Sequence, residues 1–236
     1  MRLAYDFHIH SCLSPCGDAD MTPQNIANMA KIMGYDIIAL TDHNTCLNCP
    51  ALMKVGEEIG ITVVPGMELC TSEEVHVVCL FPTLDDALAF SDYVYSTLPP
   101  IKNKPKVFGE QNICDENDEV TGVEEKLLIT ASGISTMKAV EVVRKYNGIC
   151  YPAHIDRSSF SILSNLGAID ESFGFNAAEI FDISKEGELK EKHPYLNTIK
   201  IVSDSDAHYL ENMRIPESSY IELPENSIEA VIEYFK

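Results

Sequence analysis

Two histidines and an aspartate occupy alternating positions near the start of the chain. Asp6, His8 and His10 lie at the end of the first hydrophobic run, which is typical of a β-strand. Residues two apart in a strand point to the same face, so these three side chains project together. Two imidazoles with a carboxylate behind them provide half of a divalent-metal site. An isolated His-x-His is equally consistent with two exposed strand histidines, so the other polar residues must be considered.

Side chains of the same chemical types follow several later predicted strands. These further ligand-type residues are Asp42, His43, Glu68, His76, His154, Asp206 and His208. Of the seven histidines only His193 lies away from a predicted strand end. A mixed set of histidines and carboxylates is typical of a binding site for Zn, Mn or Fe. It differs from the ligand set of a structural zinc finger. So many ligands exceed the needs of one ion and suffice for two or three, an arrangement typical of phosphate-ester hydrolysis.

The elements that must position these residues alternate between strand and helix. Strands are predicted at 3–10, 36–43, 61–69, 75–81, 149–155, 177–183, 198–202 and 220–223, and helices at 23–33, 50–58, 84–98, 136–146 and 228–235. This alternation predicts a parallel α/β fold. Because the chain has no glycine-rich dinucleotide fingerprint, a closed or nearly closed barrel is favoured over a doubly wound sheet. In such a barrel the carboxyl ends of the strands meet at one rim, where the ligand-type residues would converge.

Residues 99–130 interrupt the alternation. The stretch 101–106 is basic and flanked by prolines, whereas 115–125 is acidic. The segment is too long for an ordinary connection, which indicates an insertion into the domain. It has two interpretations: a lid or hairpin over the site, or a solvated excursion with no catalytic role.

Composition limits the partners and the compartment. The chain has 236 residues, an apolar fraction of 45% and a formal net charge of −20. Such a charge repels polyphosphate backbones, so long nucleic acid is not expected as a partner. No apolar run is long enough to span a membrane, and no signal peptide is recognised at the start. We therefore expect a cytoplasmic protein without a membrane partner.

Four of the eight cysteines follow the first two predicted strands. Cys12 and Cys16 follow the first, and Cys46 and Cys49 follow the second. If these loops are neighbours at the rim, the thiols could form a Cys₄ zinc or iron–sulfur centre, or a redox-active disulfide. Four unrelated loop thiols are the third interpretation. The others, Cys70, Cys79, Cys114 and Cys150, are expected to fill apolar sites.

Five short motifs in order resemble the PHP (polymerase and histidinol phosphatase) family. They are His8-Ile9-His10, Thr41-Asp42-His43-Asn44, Gly66-Met67-Glu68, Pro152-Ala153-His154 and Ser205-Asp206-Ala207-His208. The resemblance runs through nearly the whole chain and is weakest at 99–130. It implies one domain over 1–236, a distorted TIM-like (β/α)₇ barrel with a two- or three-metal centre in its mouth. It also implies hydrolase activity on phosphoric esters.

The resemblance further implies three sets of metal ligands. They are His8, His10, Glu68 and Asp206 for the first ion; Glu68, His76 and His154 for the second; and His43, His208 and an acid after the first motif for the third. Counting back from the first helix selects Asp18 as that acid, and Asp20 is the alternative. Asp6 and Asp42 are interpreted as residues that orient an imidazole.

The expected reaction is hydrolysis of a small phosphomonoester, histidinol phosphate or nucleotide-like, by attack of a metal-bridging water. Glu68 and Asp206 would hold the reacting centre, while Arg157 and Arg214 would bind the phosphate or form rim salt bridges. One alternative is an exonuclease or oligoribonuclease acting on short oligonucleotides. The other is a non-catalytic metal-binding regulatory module.

Overall fold

The computed structural model describes residues 1–216 and 219–236. Its strands are β1 (Arg2–Ile9), β2 (Ile37–Leu40), β3 (Thr62–Cys70), β4 (His76–Leu80), β5 (Asn112–Cys114), β6 (Val120–Val123), β7 (Ile149–Pro152), β8 (Ala177–Glu179), β9 (Lys200–Val202) and β10 (Tyr220–Glu222). Its α-helices are α1 (Pro23–Met33), α2 (Cys49–Ile59), α3 (Leu84–Thr97), α4 (Pro105–Phe108), α5 (Thr136–Arg144), α6 (Ile162–Leu166), α7 (Glu186–Lys192) and α8 (Ile228–Phe235).

The helices begin and end where local signals place them. Thr22 Oγ1 accepts a hydrogen bond from the Asn25 amide, and Pro23 occupies the first turn of α1. Gly34 ends that helix with a φ of 86°, a left-handed conformation that glycine adopts without steric cost. Every predicted helix is present, with ends within about two residues of those expected. Several predicted strands, in contrast, extend beyond the observed strand ends.

Strand direction differs from the sequence prediction. The main sheet has the order β10-β1-β2-β3-β4-β7, in which only β1, β2 and β3 run parallel. The strands β4 and β10 are antiparallel to β3 and β1, and β7 is antiparallel to β4. The all-parallel prediction is therefore wrong. The connection between β3 and β4 is a tight turn, closed by a hydrogen bond from Thr71 N to Val75 O, which is too short for a crossover helix.

The sheet nevertheless curls into a distorted TIM-like barrel, as predicted. The separate parallel pair β8–β9 lies between its two ends. Single main-chain hydrogen bonds join it there, from Ile155 N to Glu179 O at 2.9 Å and from His10 N to Ala207 O at 3.0 Å. One apolar cluster combines inward side chains of the sheet with α8, where Phe235 packs against Phe7 with ring centroids 5.8 Å apart. This packed interior fixes the strand ends that carry the polar residues.

The segment 99–130 contains α4 and the hairpin formed by β5 and β6. The hairpin packs on the loops after β1 and β2: Asn112 N donates to Cys12 O at 3.1 Å, and Cys114 N donates to Asn48 Oδ1 at 2.9 Å. Farther along, Asn44 Nδ2 donates to the carbonyls of Leu128 and Thr130. The insertion therefore contains a hairpin and contacts the rim, as the first of its two interpretations requires.

Candidate functional site

The carboxylate of Glu68, near the end of β3, lies at the centre of a group of imidazoles. The surrounding nitrogens are His8 Nε2 at 3.2 Å, His76 Nδ1 at 2.8 Å and His154 Nε2 at 3.1 Å from Oε1, and His10 Nε2 at 3.3 Å and His43 Nδ1 at 2.9 Å from Oε2. Burial alone would raise the pKa of Glu68, which is 1% exposed. The charges of His76, His8 and His43 outweigh burial and hold that pKa well below its usual value. Glu68 is therefore a charged carboxylate with several possible metal-binding neighbours.

Asp206 completes this group on the side of β1. Its Oδ1 lies 3.4 Å from His8 Nε2 and 3.3 Å from His10 Nε2, and its Oδ2 lies 2.7 Å from Arg157 Nη1. Desolvation raises the pKa of Asp206, but the charge of His8 and a hydrogen bond from His10 outweigh that effect and lower it. Asp206 is thus also a charged oxygen donor.

The structure brings together most of the residues that the motifs implicate. Three triads have ligand atoms that all lie within 4.8 Å of one another: His8, His10 and Glu68; His43, Glu68 and His76; and His10, His43 and His208. His154 and Asp206 contact members of these triads directly. The sharing of the Glu68 carboxylate between two triads is the geometry expected of neighbouring metal ions.

Asp18 is placed differently from the prediction. Its Oδ1 accepts a hydrogen bond from Asp20 N at 2.9 Å, and it belongs to none of the ligand triads found among the described residues. Asp20 is exposed. The side chain that reaches the cluster from this loop is Cys16, which lines the same cavity as His43 and His208. The loop turns twice before α1, at Ser14–Gly17 and at Asp18–Met21, so the number of residues before the helix does not fix which side chain points inward, and a ligand role for Asp18 stays a prediction.

The Cys16 thiol has an altered acidity in this position. Desolvation raises its pKa, but the charge of His43 and hydrogen bonds from His208 and His43 outweigh that effect and lower the pKa to about 5. A cysteine beside cationic groups is the environment in which thiolates form. The sequence contained one signal that Cys16 could lie at the site: it belongs to the loop that follows the first motif.

Two of the clustered residues have unusual backbone conformations. His154 has a φ of 31° and Asp206 a φ of 47°, values that favour glycine, and Asn44 next to His43 has a φ of 55°. Each such residue costs about 1–3 kcal/mol and persists when the surrounding structure enforces it. The strand predicted over 149–155 ends at Pro152, and the backbone turns at His154, whose side chain lies in the cluster.

Glu179 is a buried acid that the sequence analysis missed. Its Oε2 lies 2.7 Å from His8 Nδ1, which leaves His8 Nε2 facing Glu68 and Asp206. A carboxylate behind a metal-binding imidazole fixes the ring orientation and tautomer. The available signal was an acid between apolar residues within a predicted strand, Ala178-Glu179-Ile180.

The two aspartates expected to orient imidazoles act through other groups. Asp42 Oδ1 accepts a hydrogen bond from Ser14 Oγ at 2.6 Å, and Ser14 Oγ lies 3.0 Å from His10 Nδ1. Asp42 thus reaches an imidazole through one hydroxyl. Asp6 Oδ1 instead accepts from the main-chain amides of His8 and Ser205, so it joins the first and last motifs through the backbone.

A cavity of about 260 Å³ opens beside the cluster, with Ile129 and Phe160 as its apolar wall. Arg157 lines it, whereas Arg214 lines a neighbouring cavity with Tyr35 and Ser203. Both guanidinium groups contact the ring of Phe181, with Cζ-to-centroid distances of 4.1 Å for Arg157 and 4.5 Å for Arg214. Arg214 therefore lies at a neighbouring cavity beside Phe181, and its role in phosphate binding stays a prediction.

The four rim cysteines do not converge. Cys12 Sγ lies 3.5 Å from Cys114 Sγ, whereas Cys46 Sγ and Cys49 Sγ lie 3.1 Å and 3.6 Å from the Gly66 carbonyl oxygen. No cysteine belongs to a ligand triad among the described residues. Of the three interpretations, the structure contradicts the Cys₄ centre, because Cys12 lies beside Cys114 of the insertion while Cys46 and Cys49 are buried beside Gly66.

Several buried polar atoms of the cluster make no hydrogen bond of normal geometry among the described residues, even where an imidazole and a carboxylate lie close together. They are His43 Nδ1, Glu68 Oε2, His154 Nδ1 and Asp206 Oδ1. Buried polar atoms are nearly always paired, so orphaned atoms of this kind need a partner such as an ion. Imidazole nitrogens and carboxylate oxygens suit divalent Zn, Mn or Fe. The residues therefore fit a multinuclear metal centre.

Fold and cluster together define a distorted α/β barrel with metal-binding residues at its rim. The chain belongs to the PHP domain family, whose profile matches residues 6–236. The resemblance is thus confirmed, and metal-dependent hydrolysis of phosphoesters is the class of activity that this membership supports.

Individual relatives match over shorter stretches. Uncharacterized protein MJ1587 of Methanocaldococcus jannaschii is 37% identical over 76 residues, covering 29% of this chain and 44% of that protein. A 5′-3′ exoribonuclease of Haemophilus influenzae is 31% identical over 83 residues, covering 34% and 29%. Each match thus spans less than half the length of the relative.

Among solved structures, the lesion-specific endonuclease PfuEndoQ from Pyrococcus furiosus has a TM-score of 0.73 at 19% identity. The match covers 100% of this chain and 56% of that one. The likeness shows the shared fold. Because two of these proteins are named as nucleases, the comparisons do not support the expectation that long nucleic acid is excluded. Within the described residues, no helix combines the length and apolar character needed to cross a membrane.

Proposed function

We propose that this protein is a metal-dependent phosphoesterase acting on a small phosphomonoester, with histidinol phosphate and nucleotide-like compounds as the leading substrates. The observation that carries this proposal is the position of Glu68, whose two carboxylate oxygens face imidazoles on different sides. A carboxylate shared in this way is suited to bridge two ions in a hydrolytic centre.

The proposed ligands follow the predicted sets, except that no acid is assigned to the third. They are His8, His10, Glu68 and Asp206; Glu68, His76 and His154; and His43 and His208. Divalent ions bound there would lower the pKa of a water and neutralise charge that develops on the phosphate. The position of Glu68 between two sets of imidazoles supports two or three ions, with Zn, Mn and Fe as the candidates.

Arg157 is the proposed phosphate-binding residue. One of its nitrogens is engaged by Asp206, while 38% of its side chain remains exposed toward the cavity. Stacking of the guanidinium on Phe181 limits its motion and leaves further N–H donors for phosphate oxygens. Arg157 would thereby orient the phosphate beside the cluster. Its ion pair with Asp206 holds the guanidinium group next to the metal-binding residues.

Cavity size supports a small substrate. A volume of about 260 Å³ lies below the roughly 300–1,000 Å³ typical of pockets for drug-sized ligands. It suits a phosphate with part of its leaving group. The net charge of −20 favours compact substrates over extended polyanions. Exonuclease action on short oligonucleotides is the second candidate, and similarity to an exoribonuclease favours it.

The test is a hydrolysis screen that follows both inorganic phosphate and released nucleotides, with Zn, Mn or Fe(II) added and with a chelator as the negative control. The substrates are histidinol phosphate, nucleoside monophosphates, 5′-phosphorylated short oligonucleotides and long single-stranded DNA. We expect turnover of small monoesters that falls by at least about 100-fold in Glu68→Gln, because a bridging charge is lost. Glu57→Gln, an exposed change on α2, should retain activity.

Other outcomes distinguish the alternatives. Preferred turnover of oligonucleotides would replace the small-substrate proposal with the exonuclease. Absence of turnover with every metal, in a protein that is folded and binds metal, would contradict the proposal and support a regulatory metal-binding module.

A further inference from the structure

We propose that Cys16 is a ligand of the metal ion held by His43 and His208, so that this ion has a sulfur donor beside two imidazole nitrogens. The inference rests on the proposed function only in requiring that metal ions occupy the cluster. It assigns to this chain a sulfur ligand where the sequence comparison implied a carboxylate.

The first argument is the composition of this triad. His10, His43 and His208 have ligand nitrogens within 4.8 Å of one another, and unlike the other two triads this one contains no carboxylate. His10 Nδ1 lies 3.0 Å from Ser14 Oγ and its Nε2 faces Glu68 and Asp206, so His10 belongs to the neighbouring ion. His43 and His208 therefore leave positions of a tetrahedral site open, and a cysteine thiolate is a common zinc ligand.

The second argument is the position of Cys16. It lines the cavity beside His43 and His208, and its sulfur is within hydrogen-bonding reach of both imidazoles. The competing acid, Asp18, is occupied by the amide of Asp20. Asp206 Oδ1 lies 3.5 Å from His208 Nδ1, but it also faces His8 and His10, which assigns it to the neighbouring ion.

The third argument is that the loop is built to hold Cys16 there. Gly17 N donates to Ser14 O, and a Cβ at Gly17 would lie 2.4 Å from the Ser11 carbonyl oxygen, so this turn requires glycine. Asp18 N donates to His208 O at 2.8 Å, which ties the residue after the turn to a triad member. The insertion supports the loop from outside, because Gly109 approaches Pro15 so closely that a Cβ would meet its carbonyl.

A sulfur donor has a consequence for metal choice. Thiolates favour Zn, Fe(II) and Co(II) over Mn and Mg, which prefer oxygen. This ion would therefore differ in preference from the ions that share Glu68, whose ligands are imidazoles and carboxylates.

The experiment uses the full chain loaded with cobalt(II). A cobalt–thiolate bond produces a charge-transfer absorption band in the near ultraviolet, which nitrogen and oxygen ligands do not. We expect the band in the unmodified protein and in Cys12→Ser, whose sulfur faces Cys114. We expect the band to be lost in Cys16→Ser. We also expect the affinity of the site beside Cys16 for cobalt to fall by at least about tenfold in that variant.

A second measurement needs no variant and therefore does not depend on the folding of Cys16→Ser. The rate at which iodoacetamide alkylates Cys16 is followed by mass spectrometry with and without zinc. Protection of Cys16 by zinc supports the proposal. Equal alkylation at saturating zinc, or a band that persists in Cys16→Ser, overturns it.

The outcomes also separate this inference from the proposed function. Cobalt binding without a charge-transfer band would contradict the role of Cys16 and leave the phosphoesterase proposal in place. Failure to bind cobalt or zinc at all would contradict both.

Discussion

Single side chains of the cluster take their chemistry from neighbours that come from distant parts of the chain. His76 is an example: burial lowers its pKa to about 4, although the Glu68 carboxylate acts in the opposite direction. His8, in contrast, is paired on both ring nitrogens with carboxylates, Glu179 on one side and Glu68 on the other.

The contact between His8 and Glu179 leads to a test at this scale. Glu179→Gln keeps the size of the side chain but removes the charge that holds His8 Nδ1–H. We expect metal affinity to fall by about 10–100-fold, as is typical for the partner of a metal-binding histidine. Chelator competition would measure it, with the exposed Glu222→Gln on β10 as the matched control. Equal affinities for the two variants would show that Glu179 does not position His8.

At the scale of elements, the loop after β2 connects the cluster to the insertion. Asn44 donates to the carbonyls of Leu128 and Thr130, and its Oδ1 accepts a hydrogen bond from Cys70 N at 2.9 Å. Its φ of 55° is one that asparagine tolerates better than most residues. The buried side chain of Asn44, the residue next to His43, therefore joins the end of β3 to the insertion.

We expect Asn44→Ala to lower the free energy of unfolding by about 2–4 kcal/mol. It leaves buried backbone groups without partners, each costing about 1–3 kcal/mol, and it places alanine in the left-handed region. Urea denaturation measures the change. Asn28→Ala, on the exposed side of α1, should change stability by less than about 0.5 kcal/mol. Similar midpoints for the two variants would contradict the joining role of Asn44.

At the scale of the whole molecule, the chain carries a net charge of −20, whereas its rim contains six histidines and Arg157. A phosphate dianion approaching from solution is repelled by the surface before it reaches the cavity. Salt screens that repulsion, because the Debye length falls from about 30 Å at about 0.01 M to about 10 Å at about 0.1 M.

We therefore expect kcat/KM for a small phosphomonoester to rise by a few-fold between these two ionic strengths. The measurement is made at fixed free metal with two different salts, so that binding of a particular anion to the site is recognised. A decrease with both salts would show that local attraction by the rim outweighs the charge of the surface.

Features that depend on interactions between residues near one another in the chain could be predicted from the sequence, whereas features that depend on distant residues could not. His8 and His10 share a face because strand alternation is a local property, and Glu68 and His154 could be placed because they end or follow apolar runs. Helix ends followed capping residues such as Thr22 and Gly34. The direction of β4 did not follow from its own residues, since a buried strand has the same apolar pattern in either direction.

The sequence by itself determined the family, the curled α/β barrel and the residue types at the strand ends, because these depend on local periodicity and short motifs. Only the tertiary structure decided that Cys16 rather than Asp18 faces His43, that Glu179 supports His8 and that Arg214 faces another cavity. It also decided that Cys12 lies beside Cys114 instead of joining a Cys₄ centre. The physical reason is that loops are positioned by what packs against them, and here the packing partner is an insertion about 100 residues away along the chain.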